Sequence, residues 1–158
     1  MTTLVADLET DGLKPKKIHM VGIMDFDTKE YTSYIGEDEV PVGLMRLAEA
    51  DRVVGHNLRS FDAKVIKDLT EGLIVIPDDK IDDTLEIGRM LFPQLENHKL
   101  KTYGEILGFP KFEYEGGWGE FTPEMAPYCQ RDVELTAALY EFFLTQLAAI
   151  CETEEEAK

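Results

Sequence analysis

The chain has 158 residues, 44% of them hydrophobic and 30% charged, with 32 acidic side chains against 16 basic ones and a net charge of −16. That length and balance describe one globular domain with its own core, and they exclude a disordered segment, a fibrous repeat or a protein held to nucleic acid by a broad basic face. The N-terminus lacks an export pattern, no apolar run approaches the ~20 residues of a membrane span, and Cys129 and Cys151 have neither redox nor ligand spacing, so a cytoplasmic protein without disulfides or membrane attachment is expected.

Leu4, Ala6 and Leu8 alternate with Val5, Asp7 and Glu9 and predict a strand over Thr3–Glu9, closed by a turn at Asp11-Gly12. Ile18–Phe26 and Tyr31–Ile35, joined through Asp27-Thr28, complete an antiparallel meander. Helical spacing follows over Val40–Ala50, then a short buried strand over Arg52–Gly55 and a helix capped by Ser60 that carries Phe61, Val65, Ile66 and Leu69. Asp79–Asp82 reads as a further strand, and Thr84–Leu91 and Leu100–Leu107 as helices. Phe109–Phe121 is a glycine-rich aromatic loop, and Thr122-Pro123-Glu124 opens a long helix to about Ile150. The order predicts a mixed α/β domain over residues 1–150 and an acidic, disordered tail over 151–158.

Five residues carry candidate chemistry. Asp7 and Glu9, two apart on a strand, project from one face at its end, where a divalent ion is the natural way to keep both ionised. A solvated strand face in an acidic chain gives the same pattern, but a first strand this apolar is more often central. Asp62 follows a strand–helix junction, where open α/β sheets place functional groups, although an acid in a first helical turn also suits the helix dipole. Tyr128 and Asp132, four apart on a helix, share a face.

Taken together and in order, these residues resemble the 3'→5' exonucleases of the DEDD superfamily, DEDDy branch, which are DnaQ-like and ribonuclease H-like. The motifs are Asp7-Leu8-Glu9-Thr10-Asp11-Gly12-Leu13, Gly55-His56-Asn57 through Phe61-Asp62, and Tyr128-Cys129-Gln130-Arg131-Asp132. The resemblance is closest to the proofreading domains of family A, phage-type DNA polymerases. It extends to Ile81-Asp82-Asp83-Thr84-Leu85, His98-Lys99-Leu100, Gly116-Gly117-Trp118 and Phe121-Thr122-Pro123-Glu124-Met125.

The resemblance implies a ribonuclease H-like fold with a mixed five-stranded sheet, its first three strands antiparallel, flanked by helices. It implies two divalent cations, Mg²⁺ or Mn²⁺, with Asp7 bridging both, Glu9 and Asp132 on the water-activating ion, Asp62 on the second, and Tyr128 orienting the attacking water. Thr10 and Leu13 would contact the terminal base, Leu13 as an apolar wedge. Asn57, Phe61 and His98 would line the substrate channel. Arg131 stands where phage relatives often carry Gln and would reach a phosphate, and Phe61 stands where Tyr is common. Trp118 has two readings, stacking on bases or pinning its loop to the body.

The expected function is a stand-alone 3'→5' exonuclease acting on the 3' ends of single-stranded or frayed DNA in proofreading, repair or DNA degradation. A replicative polymerase or a single-strand binding protein is the expected partner. The alternatives are a 3'→5' exoribonuclease or oligoribonuclease of the same superfamily, and a non-catalytic binding module. Lys14, Lys16, Arg59, Lys64 and Lys111 lie near the motifs, and for most of them scattered solubilising charge is the simpler reading.

Overall fold

Strand alternation sets the layers of the computed structural model, which describes residues 1–157. β1 (Thr3–Thr10) is the middle of a five-stranded sheet with β2 (Ile18–Asp25), β3 (Tyr31–Ile35), β4 (Arg52–Gly55) and β5 (Ile81–Asp83), in the order β3-β2-β1-β4-β5. β2 is antiparallel to both β1 and β3, whereas β1, β4 and β5 run parallel. The expected mixed sheet, with its antiparallel first three strands, is the one observed.

One face of the sheet turns Leu4, Ala6, Leu8, Val21 and Ile23 onto α1 (Gly36–Glu49) and α2 (Ala63–Leu69), which contribute Val40, Leu44, Leu47, Val65 and Ile66. The other face turns Val5, Met24 and Val54 onto α5 (Met125–Ala157), which answers with Val133, Ala137 and Tyr140. α3 (Thr84–Leu91) and α4 (Leu100–Leu107) extend that second layer around Tyr103, Leu139 and Phe143. Part of α5 is long and apolar enough to cross a membrane by composition alone. Here its apolar stripe is spent on the sheet and on α3 and α4.

Several boundaries differ from the sequence expectation. α1 starts at Gly36, ahead of Val40, because the Glu39 carboxylate accepts the Ile35 N–H at 2.9 Å. Pro41 lies inside α1, in its second turn, where its missing N–H leaves the Glu37 carbonyl without its i+4 donor. β5 begins at Ile81, after a short 3₁₀ turn over Asp78–Lys80. Ser60 is not a cap. Helical structure opens earlier, in a π-type turn over Leu58–Asp62 that follows Asn57, a non-glycine residue at φ 60°. The capping group comes from another strand: Asp83 accepts the N–H groups of Asn57 (2.9 Å) and Arg59 (3.0 Å) as well as that of Leu85 (2.9 Å). The residues expected as a disordered tail continue α5 as exposed helix through Ala157. Extending a helix already nucleated and packed upstream carries no new nucleation penalty, and Glu and Ala are good helix formers. Lys158, also assigned to that tail, lies outside the described residues.

Candidate active site

β1 and α5 meet at the site. Asp7 and Glu9 share the Val5 side of β1, the side covered by α5. The β1–β2 register shifts between Glu9 and Thr10, so regular pairing breaks immediately after the second carboxylate. Gly22, the cross-strand partner of Asp7, lets α5 come close: a Cβ there would lie 2.9 Å from the Cys129 sulfur and 2.6 Å from the Tyr31 hydroxyl. Cys129 in turn sits 3.7 Å from the Asp7 carbonyl. Asp132 follows three residues later on α5, buried like Glu9, and Asp62 enters buried from the π-type turn. All four acids named in the sequence therefore converge on one place.

Asp7 is the charge that the other three acids share. Burial first, and then the neighbouring Asp7, pushes Glu9 up to about 11 and Asp132 up to about 8. The same two causes raise Asp62 well above the usual carboxylate range, and burial raises Asp7 itself. Four acids this close cannot all ionise without positive charge among them.

Lys111 supplies one such charge. Burial would lower its ammonium, but Asp132 and the Tyr128 hydroxyl override that and raise it. Its Nζ lies 3.5 Å from Asp132 Oδ2, donates to the Tyr128 hydroxyl, and sits 4.3 Å above the Tyr128 ring. Burial raises the Tyr128 hydroxyl above its ordinary range, so it stays protonated at neutral pH. Lys111 was one basic residue among many in the sequence. It comes from an irregular loop that carries no periodicity to place it.

The residues fit a hard divalent cation. Asp132 Oδ1 is buried and has no hydrogen-bond partner, an arrangement that costs about 1–3 kcal/mol unless something positive meets it. The Asp7 and Glu9 carboxylates lie with the Cys129 sulfur inside a 4.8 Å cluster. Burial and the acids keep the Cys129 thiol protonated, which leaves the donors as carboxylate oxygens.

A cavity of about 300 Å³ adjoins these acids, lined by Leu8, Glu9, Thr10, Gly12, Leu13, Phe61 and Trp118. It gathers four of the expected substrate-binding residues beside Glu9: Thr10, Leu13, Phe61 and Trp118. Trp118 pins its loop, one of the two readings of its sequence position. Its carbonyl is held by His19 Nε2 at 2.7 Å and its ring packs on Tyr114 at 4.6 Å, pinning the loop, and it also lines the cavity.

Three other expected substrate-binding residues do not line this cavity. Arg131 donates to the Pro110 carbonyl at 2.8 Å and stacks 3.7 Å over Phe109 and 4.8 Å over Phe112, so its guanidinium clamps the loop instead of facing the cavity. His98 bonds the Tyr103 hydroxyl at 2.6 Å and presents its carbonyl to His56 Nε2 at 2.8 Å, on the α4 side of the site. Asn57 is exposed at the turn that Asp83 anchors. Asp83 does not stand out in the sequence as a positioning residue, because its neighbours Asp78, Asp79 and Asp82 make it one acid in a row. Only its burial and its three accepted N–H groups distinguish it.

Residues 4–115 match the RNase H superfamily. The DNA-directed DNA polymerase of Escherichia phage T7 is 25% identical over an alignment that includes 90% of this chain, and the chain spans 26% of that polymerase. Among solved structures, Brucella melitensis NrnC superposes with a TM-score of 0.75 at 20% identity, over 97% of this chain and 77% of that one. The family B DNA polymerase of the archaeon Pyrobaculum calidifontis superposes with a TM-score of 0.68 at 18% identity, over 91% of this chain and 24% of its own.

Proposed function

We propose, for a chain that belongs to the RNase H superfamily, a metal-dependent 3'→5' exonuclease of the DEDDy type that removes nucleotides from the ends of single-stranded or frayed DNA. The observation that carries this reading is the convergence of Asp7, Glu9, Asp62 and Asp132 with Asp132 Oδ1 buried and unpaired. These four carboxylates would hold two divalent cations, Mg²⁺ or Mn²⁺. NrnC has been observed with bound Mg²⁺, which supports the choice of ion. When bound, the ions supply positive charge to the oxygens of the transition state and make a nucleophile of water at neutral pH.

The chain's own residues do the rest. Tyr128 keeps its proton, so it is no general base, and in this reading its hydroxyl orients the attacking water. Lys111 fixes that hydroxyl and offsets part of the Asp132 charge. Phe61, Leu13 and Trp118 offer the terminal base an apolar, stacking environment. Asp83 holds the turn that delivers Asp62.

A second reading, an exoribonuclease or oligoribonuclease, is favoured by the likeness to NrnC, which has been observed bound to pGG. Sequence similarity to the T7 polymerase favours DNA and a polymerase-linked role. One experiment separates them. Matched DNA and RNA single strands and a blunt duplex, labelled at the 5' end, are incubated with Mg²⁺ or Mn²⁺, with EDTA and Asp7→Ala as controls. The reading predicts a ladder shortening from the 3' end, fastest on single-stranded DNA and absent in both controls. A faster RNA ladder transfers the assignment to ribonuclease, and no ladder on any strand defeats the nuclease reading.

A further inference from the structure

We propose that a second, lysine-lined cavity beyond Leu13 and Phe61 is the track for the nucleotides that precede the terminal one, so that the protein prefers oligonucleotides over dinucleotides. The inference rests on the nuclease reading and extends it from the scissile bond to the rest of the strand. This cavity, about 440 Å³, is lined on one side by the β1–β2 loop with Lys14 and Lys16, and on the other by Ser60 and Lys64 at the start of α2. Leu13 and Phe61 line both this cavity and the one beside Glu9, so the two adjoin each other across these side chains. Leu13 is 92% exposed, standing between them like a partition.

Charge distinguishes this surface from the rest of the molecule. In a chain of net −16, three lysines face this cavity against a single acid, Asp68. Among the described residues, none of the three lies within ion-pair distance of a carboxylate. A lysine whose only role is to solubilise an acidic protein needs no shared concavity. The lysine loop is also fixed before any ligand arrives. Asp11 Oδ1 accepts the N–H groups of Lys16 at 2.9 Å and Lys17 at 3.2 Å, and the Asp11 N–H donates to the Lys17 carbonyl. Apolar Val65 and Leu69, basic side chains around them and a neighbouring cavity that reaches Glu9 suit a phosphodiester backbone with its bases turned inward.

The test measures binding and cleavage separately. Fluorescence anisotropy with 5'-labelled single strands of two and eight nucleotides is read across a salt series in Ca²⁺, and KM is read in Mg²⁺ or Mn²⁺. The wild-type chain is expected to bind the longer strand at least tenfold more tightly. The triple variant K14Q/K16Q/K64Q is expected to forfeit most of that gain. Its log-affinity for the longer strand should depend on log salt with a slope smaller by about 2, at ~0.7 for each phosphate of a single strand that a lysine no longer neutralises. Lys101→Gln, an exposed charge on α4 outside both cavities, should change neither quantity. Equal affinity of the wild type for both lengths, or an unchanged length dependence and slope in the triple variant, overturns the track. Binding that follows these expectations without any ladder leaves the track standing and defeats the nuclease reading alone.

Discussion

The two faces of β1 obey opposite rules. Leu4, Ala6 and Leu8 lie at 6% exposure or less on one side and are matched by α1 and α2 in an apolar contact with no polar group to satisfy. On the other side the same strand places Asp7 and Glu9 under α5, where burial and mutual repulsion drive their carboxyls upward. One face holds the fold together. The other stores electrostatic strain that only an opposite charge relieves. The contrast teaches that the site is built against stability, and that the apolar face offsets its cost.

Removing a carboxylate from the strained face should produce the largest functional effect. Asp7→Ala is expected to lower cleavage by about 10³-fold or more, on the order of 4 kcal/mol at 1.36 kcal/mol per decade, while circular dichroism stays native. Retained cleavage would mean that the charge shared by the other acids is not the centre of the chemistry. The apolar face should respond in stability instead. Leu4→Ala is expected to destabilise by about 2–5 kcal/mol in urea unfolding, with the turnover of the folded fraction unchanged.

The pH response sharpens the same contrast. Asp132 ionises near 4 when unfolded and near 8 in the fold, so between those values the native state holds the extra proton. Metal-free stability should therefore fall as pH rises from 4 to 8. Mg²⁺ or Mn²⁺ should reverse the trend by favouring the ionised acids. Melting temperatures at pH 5 and pH 8, with EDTA and with metal, check this. Asp132→Asn should reduce the metal-free slope by the share of its own proton, and an unchanged slope would assign the effect to Glu9, Asp62 and Asp7, which are raised as well.

Smaller effects are expected where side chains position rather than ligate. Tyr128→Phe and Lys111→Ala should each slow cleavage about 10–100-fold, in the range of a single positioned proton-transfer group or less. The metal-induced rise in melting temperature should be nearly intact in both. Loss of that rise in Tyr128→Phe would make Tyr128 part of the metal site. Arg131→Ala should be the mildest, about 1 kcal/mol of stability or less from its loop clamp, with any loss of activity appearing in KM.

Much of this architecture is legible in the sequence. Strand alternation places Leu4, Ala6 and Leu8 opposite Val5, Asp7 and Glu9, and helical spacing puts Tyr128 and Asp132 on one face. Such patterns are readable because a strand repeats every two residues and a helix every 3.6, so local order alone assigns faces. They also carry the acidic quartet, since each member sits on or beside a regular element. What lies in loops, or acts across them, is not legible. Lys111 finds Asp132 and Tyr128 only when the 109–121 loop folds back over α5, and Arg131 is taken from any phosphate by that same loop. Asp83 caps a turn two dozen residues earlier in the chain, so no local signal at Ser60 could reveal where that helix begins. Periodicity determined which residues share a face. Contacts between segments far apart in sequence decided which charges are buried together, because burial and proximity are properties of the packed chain and of no segment within it.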